Sequence, residues 1–413
     1  MRKFIVSVVV ALVVSCGASF YVYKTNYASE TYENKEIKND SNMLSMMLET
    51  SAGSGEYQQT TASSWPNEDY IFNSELSKCK NGSNLKWDSK NKQVIFDGNS
   101  IDKCYVYFDK YVPTLANHIK RLYTGIQGEN NLYYHNSSLT NGAGDNSYRY
   151  AGSSDTTNNF VCFGSNDDTC PIDNLYRVIG VFNNNVKLIK YDYAKTALLG
   201  SNGDYSTSYA NTGFAQSTLG NNLVSDIGAY SWNYKSINTG YGVNQWDTSY
   251  FNKINLNTNY LNNIGTSWSD KIETVTWVTG GNTYENINGE ISHNVYQNEI
   301  ISPVSSSTYD AKVGLMYASD YGFAAPPNVW LTILGNYLYQ SIKDVNWMYM
   351  GLVEWTITRR SDYDNIAFGI GETGNVGNSY CSNVHAARPV FYLKKTIMYK
   401  SGDGTKNNPF RVE

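Results

Sequence analysis

Apolar residues run almost unbroken from Phe4 to Tyr23, between Arg2-Lys3 and Lys24, and the chain turns acidic and polar at once, at Glu30 and Glu33. Some 20 residues rising about 1.5 Å each make a helix about 30 Å long, the thickness of a bilayer's hydrocarbon core. The positive flank holds that end on the cytoplasmic side, so the rest of the chain is predicted to be extracytoplasmic, on the outer face of the cell membrane. Residues 1–24 have three readings: a retained signal anchor, a cleaved signal, or a lipoprotein signal with lipidation at Cys16, since Val13-Val14-Ser15-Cys16 fits that pattern. Phe20-Tyr21-Val22-Tyr23 extends the run to spanning length and favours the anchor, which would make the membrane a partner through this helix.

Residues 25–65 are polar and rich in Ser, Thr and Gly, a stalk interrupted by Met43 to Leu48, whose apolar residues suit one side of a short helix. From 66 to 112 the pattern becomes short alternating runs, among them Tyr70-Ile71-Phe72, Gln93-Val94-Ile95-Phe96 and Cys104 to Phe108, separated by turn signals such as Asp97-Gly98-Asn99. This predicts a small β module whose meagre core invites a Cys79 to Cys104 bridge. Pro113 heads a connecting helix over 113–130, with Leu115, Ile119, Leu122 and Ile126 three and four apart. Residues 147–413 read as a large domain with strands at 159–163, 175–182, 186–191, 274–278, 351–358 and 388–393. Helical spacing recurs there at Phe251, Ile254, Leu261 and Ile264. Long Gly, Asn and Ser loops separate these elements, and the fold class expected is α+β.

Composition narrows the function classes. The charged fraction is 17% and the net charge −5, so no basic face is present for a nucleic acid, which is not expected as a partner. The 36 tyrosines and many asparagines admit two readings, codon bias or a contact surface built from flat amphipathic rings. An exported chain can keep disulfides, and Cys79 with Cys104 and Cys162 with Cys170 are the candidate local pairs, leaving Cys381 as a buried thiol. His118, His135, His293 and His385 show no metal-ligand spacing, and Asp167, Asp168 and Asp173 do not follow a calcium-loop pattern, so no metal or cofactor is expected.

The segments Asp173 to Phe182, Val313 to Tyr321, Trp355 to Ser361 and Ala387 to Leu393, with the ending Ser401-Gly402-Asp403-Gly404-Thr405 through Asn408-Pro409-Phe410, resemble a group of uncharacterised surface proteins of gut Firmicutes over residues 66–413. More loosely, the Trp355 strand, the Gly-rich stretch Phe368 to Gly374 and the Arg388 strand resemble the C-terminal half of C-type-lectin-like domains of the formylglycine-generating-enzyme type. That resemblance implies a twisted sheet covered by long loops whose face makes contacts. It does not extend to the enzymes' cysteine pair, since Cys381 stands alone, nor to the calcium-lectin tripeptide, since Pro326-Pro327-Asn328 follows Ala325.

The densest cluster of aromatic, acidic and bidentate side chains is Glu354, Arg359, Arg360, Asp362 and Tyr363, with Glu372 further on. These are the candidate ligand-binding residues. Strand alternation predicts Trp355 and Ile357 pointing inward and Glu354, Thr356 and Thr358 outward. The expectation is a non-catalytic, membrane-anchored surface protein that binds a host or environmental protein or glycan through a loop-rich face. The alternatives are an exported glycan hydrolase using Glu354, Asp362 and Glu372, and a structural component of the cell envelope.

Overall fold

The computed structural model describes residues 44–60, 66, 69–88, 91, 93–97, 102–208, 226–238, 240–305 and 307–413. They belong to two compact units, one ending at Pro113 and the other beginning at Thr114.

The first unit is a four-stranded sheet in the order Tyr57–Thr60, Leu44–Glu49, Cys104–Lys110, Tyr70–Cys79, with a hairpin of Asn84–Asp88 and Gln93–Asp97. Leu44–Glu49, expected as a short helix in a polar stalk, is instead an inner strand, running parallel to Cys104–Lys110 with Met46 opposite Val106. Both its faces are covered. Met47 packs with Tyr57, Tyr105 and Tyr107, and Met46 with Val106 and Phe108. A short apolar run buried on both faces has no period of two, so its pattern does not separate strand from helix. Cys79 and Cys104 face each other across Tyr70–Cys79 and Cys104–Lys110 and are joined in a disulfide.

The second unit is built on an antiparallel sheet in the order Val313–Gly314, Val390–Tyr392, Asn185–Lys190, Leu175–Phe182, Ser147–Tyr150, Leu132–His135, with Phe160–Cys162 pairing one end of Leu175–Phe182. A second sheet runs Gly281–Asn282, Glu354–Arg360, Ile366–Ile370, Val376–Tyr380. Val178, Leu188 and Phe391 of the first sheet and Trp355, Ile357 and Phe368 of the second belong to one contiguous core. A second disulfide joins Cys162 to Cys170.

The helices are short. Thr114 caps the first, its Oγ1 accepting from the Asn117 N–H at 3.2 Å, but the helix spans only Leu115–Arg121, the longest α-helix among the described residues. Gly125 and Gly128 beyond it adopt positive φ, so the apolar spacing that reached Ile126 could not propagate, and Ile126 lies exposed. Phe251–Tyr260 winds as a π-helix. Its wider turn buries Phe251, Leu256 and Tyr260 in place of the Ile254, Leu261 and Ile264 stripe that α-helical spacing predicts.

These findings correct the expected fold class. The described residues are mostly β with short helices, not the α+β fold expected. None of the described helices is long and apolar enough to cross a membrane. The run Phe4 to Tyr23 and Cys16 lie outside the described residues.

Within the second unit, several charges are buried in pairs. Arg388 grips Glu354 with two parallel bonds, Nε to Oε2 at 2.8 Å and Nη2 to Oε1 at 2.7 Å, and both side chains are about 1% exposed. Glu354→Ala should lower stability by about 3–5 kcal/mol, the cost of leaving a buried charge without its partner. Urea unfolding would measure it, and replacing both residues by apolar ones of similar volume should recover most of the loss. A single-variant effect below about 1 kcal/mol would mean that the pair is hydrated, as a surface bridge is.

Candidate functional site

The six candidate residues do not form one cluster. Glu354 is buried against Arg388, and the strand it opens is covered along Glu354–Thr358 on both faces. The outward orientation expected for Glu354, Thr356 and Thr358 is therefore corrected, because the alternation rule assumes one wet face. Arg359 is half-buried and committed, its Nε donating to the Thr279 carbonyl at 2.7 Å and its Nη2 to Ser305 Oγ at 3.1 Å. Glu372 lies in the turn between Ile366–Ile370 and Val376–Tyr380, whereas Asp362 lies in the turn at the opposite end, between Glu354–Arg360 and Ile366–Ile370. A five-residue strand rising about 3.3 Å per residue separates those turns, too far for a pair of hydrolytic carboxyl groups, which need about 5–9.5 Å.

Arg360, Asp362 and Tyr363 do share one surface. Arg360 bonds Asp362 through both Nε and Nη2, and its guanidinium lies 4.3 Å from the centroid of the exposed Tyr363 ring. That bond holds the Asp362 carboxyl below its ordinary range. The same end of the sheet carries two tyrosines that the sequence reading did not single out. Tyr380 ends its strand opposite Ile366, and Tyr241 stacks on it with ring centroids 4.3 Å apart and planes 21° from parallel. Tyr241 is 58% exposed, Tyr363 52% and Tyr380 41%.

The loop that presents Tyr241 is fixed by its neighbours. Gly242 has φ +81°, and a Cβ there would lie 2.5 Å from the Asn233 carbonyl oxygen, so only glycine fits. The Tyr241 carbonyl accepts from Ser382 N at 2.9 Å, and the Asn244 amide reaches the carbonyls of Arg360, Tyr363 and Ile366 at 2.9, 2.7 and 2.9 Å. Gly240-Tyr241-Gly242 was the local sign of this aromatic tip, but nothing in the sequence linked it to Tyr380.

A second feature is a cavity of about 290 Å³ bordered by Asp145, Arg149, Lys187 and Asp320 and by the rings of Phe182, Tyr296, Tyr317 and Tyr392. Its charges are already matched. Arg149 Nη2 lies 2.6 Å from Asp145 Oδ2, and Lys187 Nζ lies 2.5 Å from Asp320 Oδ2. Burial opposes ionisation of Asp145, but the Arg149 guanidinium outweighs it and holds the carboxyl far below its ordinary range. Glu299 is buried beside this cluster, its Oε1 accepting from Ser319 N at 3.1 Å and Ser319 Oγ at 3.0 Å. Burial, with the Asp320 charge adding to it, pushes Glu299 up to about 8.

The remaining candidates resolve into structural roles. Among the described residues, the one grouping with metal-ligand types is Cys79, Asp102 and Cys104. Its sulfurs are joined to each other, and Asp102 accepts from the N–H groups of Asn81 and Ser83. Asp173 is drawn to Lys195 at 2.9 Å, apart from Asp167 and Asp168, whose cleft is shared with Lys400 and Arg411. Cys381 is a buried thiol, raised by burial, and His385 packs against Trp355 with ring centroids 4.1 Å apart. Burial lowers His385 to about 4. No family model, curated protein or solved structure matches the chain.

Glu299 makes stability depend on pH with a definite sign. Folded, it stays protonated up to about 8, whereas unfolded it ionises near 4.5. Its contribution is fully present below pH 4.5 and is lost as pH rises towards 8, at up to roughly 1.4 kcal/mol per pH unit. Glu299→Gln keeps the acceptor for Ser319 and cannot ionise, so the decline should be missing from the variant. Melting temperatures from pH 5 to 8 that run parallel in the two proteins would show that Glu299 does not hold its proton.

Proposed function

We propose that this is an extracytoplasmic, non-catalytic surface protein that binds a carbohydrate chain of a host or environmental glycan across the Tyr241, Tyr380 and Tyr363 platform. The observation that carries this reading is the exposed Tyr241–Tyr380 stack, at the end of the sheet that also carries Tyr363 and the Arg360–Asp362 pair. A sugar ring has an apolar C–H face and an equatorial rim of hydroxyls. The first matches an open tyrosine face, and the second matches charged groups at its edge that both donate and accept. Tyrosine also supplies contact area at small entropic cost, and the surrounding loop is held in place before any ligand arrives.

A protein partner fits less well, because a stable protein interface buries about 800 Å² on each side around a larger aromatic or aliphatic centre. The charged groups of the internal cavity are already matched to one another. Two disulfides support the extracytoplasmic placement, since such bonds persist in oxidising compartments. The resemblance of the chain's segments to Firmicutes surface proteins supports the same placement.

Glycan-array screening of the purified protein, followed by titration of the best hit, should give saturable binding. Tyr241→Ala and Tyr380→Ala should each weaken it roughly tenfold or more, as loss of an aromatic anchor does, with unfolding midpoints little changed. Absence of any glycan hit would favour a structural envelope role. Equal affinity in the parent and both variants would remove the platform from the binding site.

A further inference from the structure

We propose that Lys187 and Asp320 become joined by an amide bond once the chain has folded, cross-linking the strand Asn185–Lys190 to the helix Ala318–Phe323. The two groups come from positions 133 residues apart, and Nζ lies 2.5 Å from Oδ2, so the carboxyl carbon is within van der Waals reach of the nitrogen. Both side chains are almost wholly buried, 1% and 2% exposed. The rings of Tyr317, Tyr392, Phe182 and Trp277 surround Nζ, with centroids 4.6, 5.3, 5.5 and 5.8 Å away. Holding two reactants in this way is equivalent to a concentration on the order of 10⁵ M or more. A neutral amide avoids the cost of keeping two full charges almost wholly buried.

The neighbours suit the chemistry. Arg149 Nη1 stands 3.9 Å from Asp320 Oδ1, where negative charge develops when nitrogen attacks the carbonyl carbon. The Tyr317 N–H donates to Oδ2 at 2.9 Å, fixing the orientation of the carboxyl group. Glu299, gripped by Ser319 next in sequence to Asp320, carries a proton at neutral pH and interacts electrostatically with both partners.

The step balances without a co-reactant. A proton passes from the Lys187 ammonium to the Asp320 carboxylate, giving an amine and a carboxylic acid. The nitrogen lone pair forms the bond to Cγ, and the carbonyl pair moves onto Oδ1 beside Arg149. The intermediate collapses, the Cγ–Oδ2 bond breaks, and the departing oxygen takes a further proton directly from the attached nitrogen and leaves as water. The adjoining cavity offers that water a way out. Ammonium and carboxylate become amide and water, with no oxidation.

Other buried pairs lack this arrangement. The guanidinium of Arg388 is not a nucleophile, and Lys190 with Asp192, 2.7 Å apart, are two residues apart on one segment, where a bond would join no distant parts of the chain.

Mass spectrometry of the reduced full-length protein tests the idea. The parent should be lighter than its sequence by one water, and its digest should contain a branched peptide joining Lys187 to Asp320. Lys187→Arg keeps a cation but offers no amine, so it should show no water loss and no branched peptide. Separate, unmodified Lys187 and Asp320 peptides in the parent would overturn the proposal, and this arm needs no variant to fold. A water loss that survives in Lys187→Arg would overturn it equally. The amide does not depend on glycan binding, so failure of either reading leaves the other standing.

Discussion

The bidentate pair of Arg388 and Glu354 is the constraint on which the second unit depends. Glu354 opens a strand of one sheet, and Arg388 stands just before the strand Val390–Tyr392 of the other. The backbone repeats the link beside them, with Trp355 N donating to the Ala386 carbonyl and Ala386 N to that of Val353. Arg388 Nη2 also donates to the Met348 carbonyl at 2.7 Å, fixing the approach to the strand as well as its start. A buried ion pair contributes little net stability in forming, yet breaking it strands a charge where no water can reach. Any alternative packing of the sheets must meet that cost. Arg177 illustrates the other solution. Buried without an acid, it is satisfied by Asn159, Ser154 and Thr157 and lies over the Phe160 and Trp347 rings, and burial draws it down only to about 9.

Asparagine does for the loops what the ion pairs do for the sheets. Asn159, Asn233, Asn244, Asn252 and Asn255 are fully or almost fully buried, and each amide donates to carbonyls of irregular or strand-end backbone. A buried carbonyl without a partner is costly, and long loops supply many of them. Other asparagines, such as Asn183 and Asn184, adopt the positive φ that a tight turn between strands requires. The abundance of this residue therefore has a structural account in the way the loops are satisfied, which composition could not distinguish from codon bias or from a contact surface.

Much of the second unit's sheet was legible. Leu175–Phe182 coincides with the strand read from its apolar run, and Asn185–Lys190 and Val275–Val278 begin or end within a residue of expectation. These runs are rich in branched and aromatic residues and bounded by turn formers, so local preference and tertiary burial agree. Legibility failed where the partner was distant or the period unusual. Leu44–Glu49 needed a parallel neighbour from far along the chain, and Phe251–Tyr260 followed a π-helical turn that no α-helical template matches. At the candidate site, Arg360, Asp362 and Tyr363 were visible because they are contiguous, while Tyr241 and Tyr380 meet only through folding. Glu354 misled for the opposite reason: a carboxylate beside an aromatic residue has the same sequence appearance whether it faces a ligand or a buried arginine.

The structure thus separates two uses of polar chemistry by access to water. On the platform, Arg360 and Asp362 remain in contact with solvent, where their mutual attraction is weak enough to be exchanged for bonds to a ligand. In the interior, Lys187 and Asp320 have no such exchange available, because separating them would leave both charges in an aromatic enclosure. Their remaining options are to persist as ions at close contact or to shed water and become one neutral group. Burial makes the second option favourable in energy, and the fixed geometry removes most of its entropic barrier. Such a bond would tie Asn185–Lys190 to Ala318–Phe323 and leave the exposed Tyr241–Tyr380 stack unchanged.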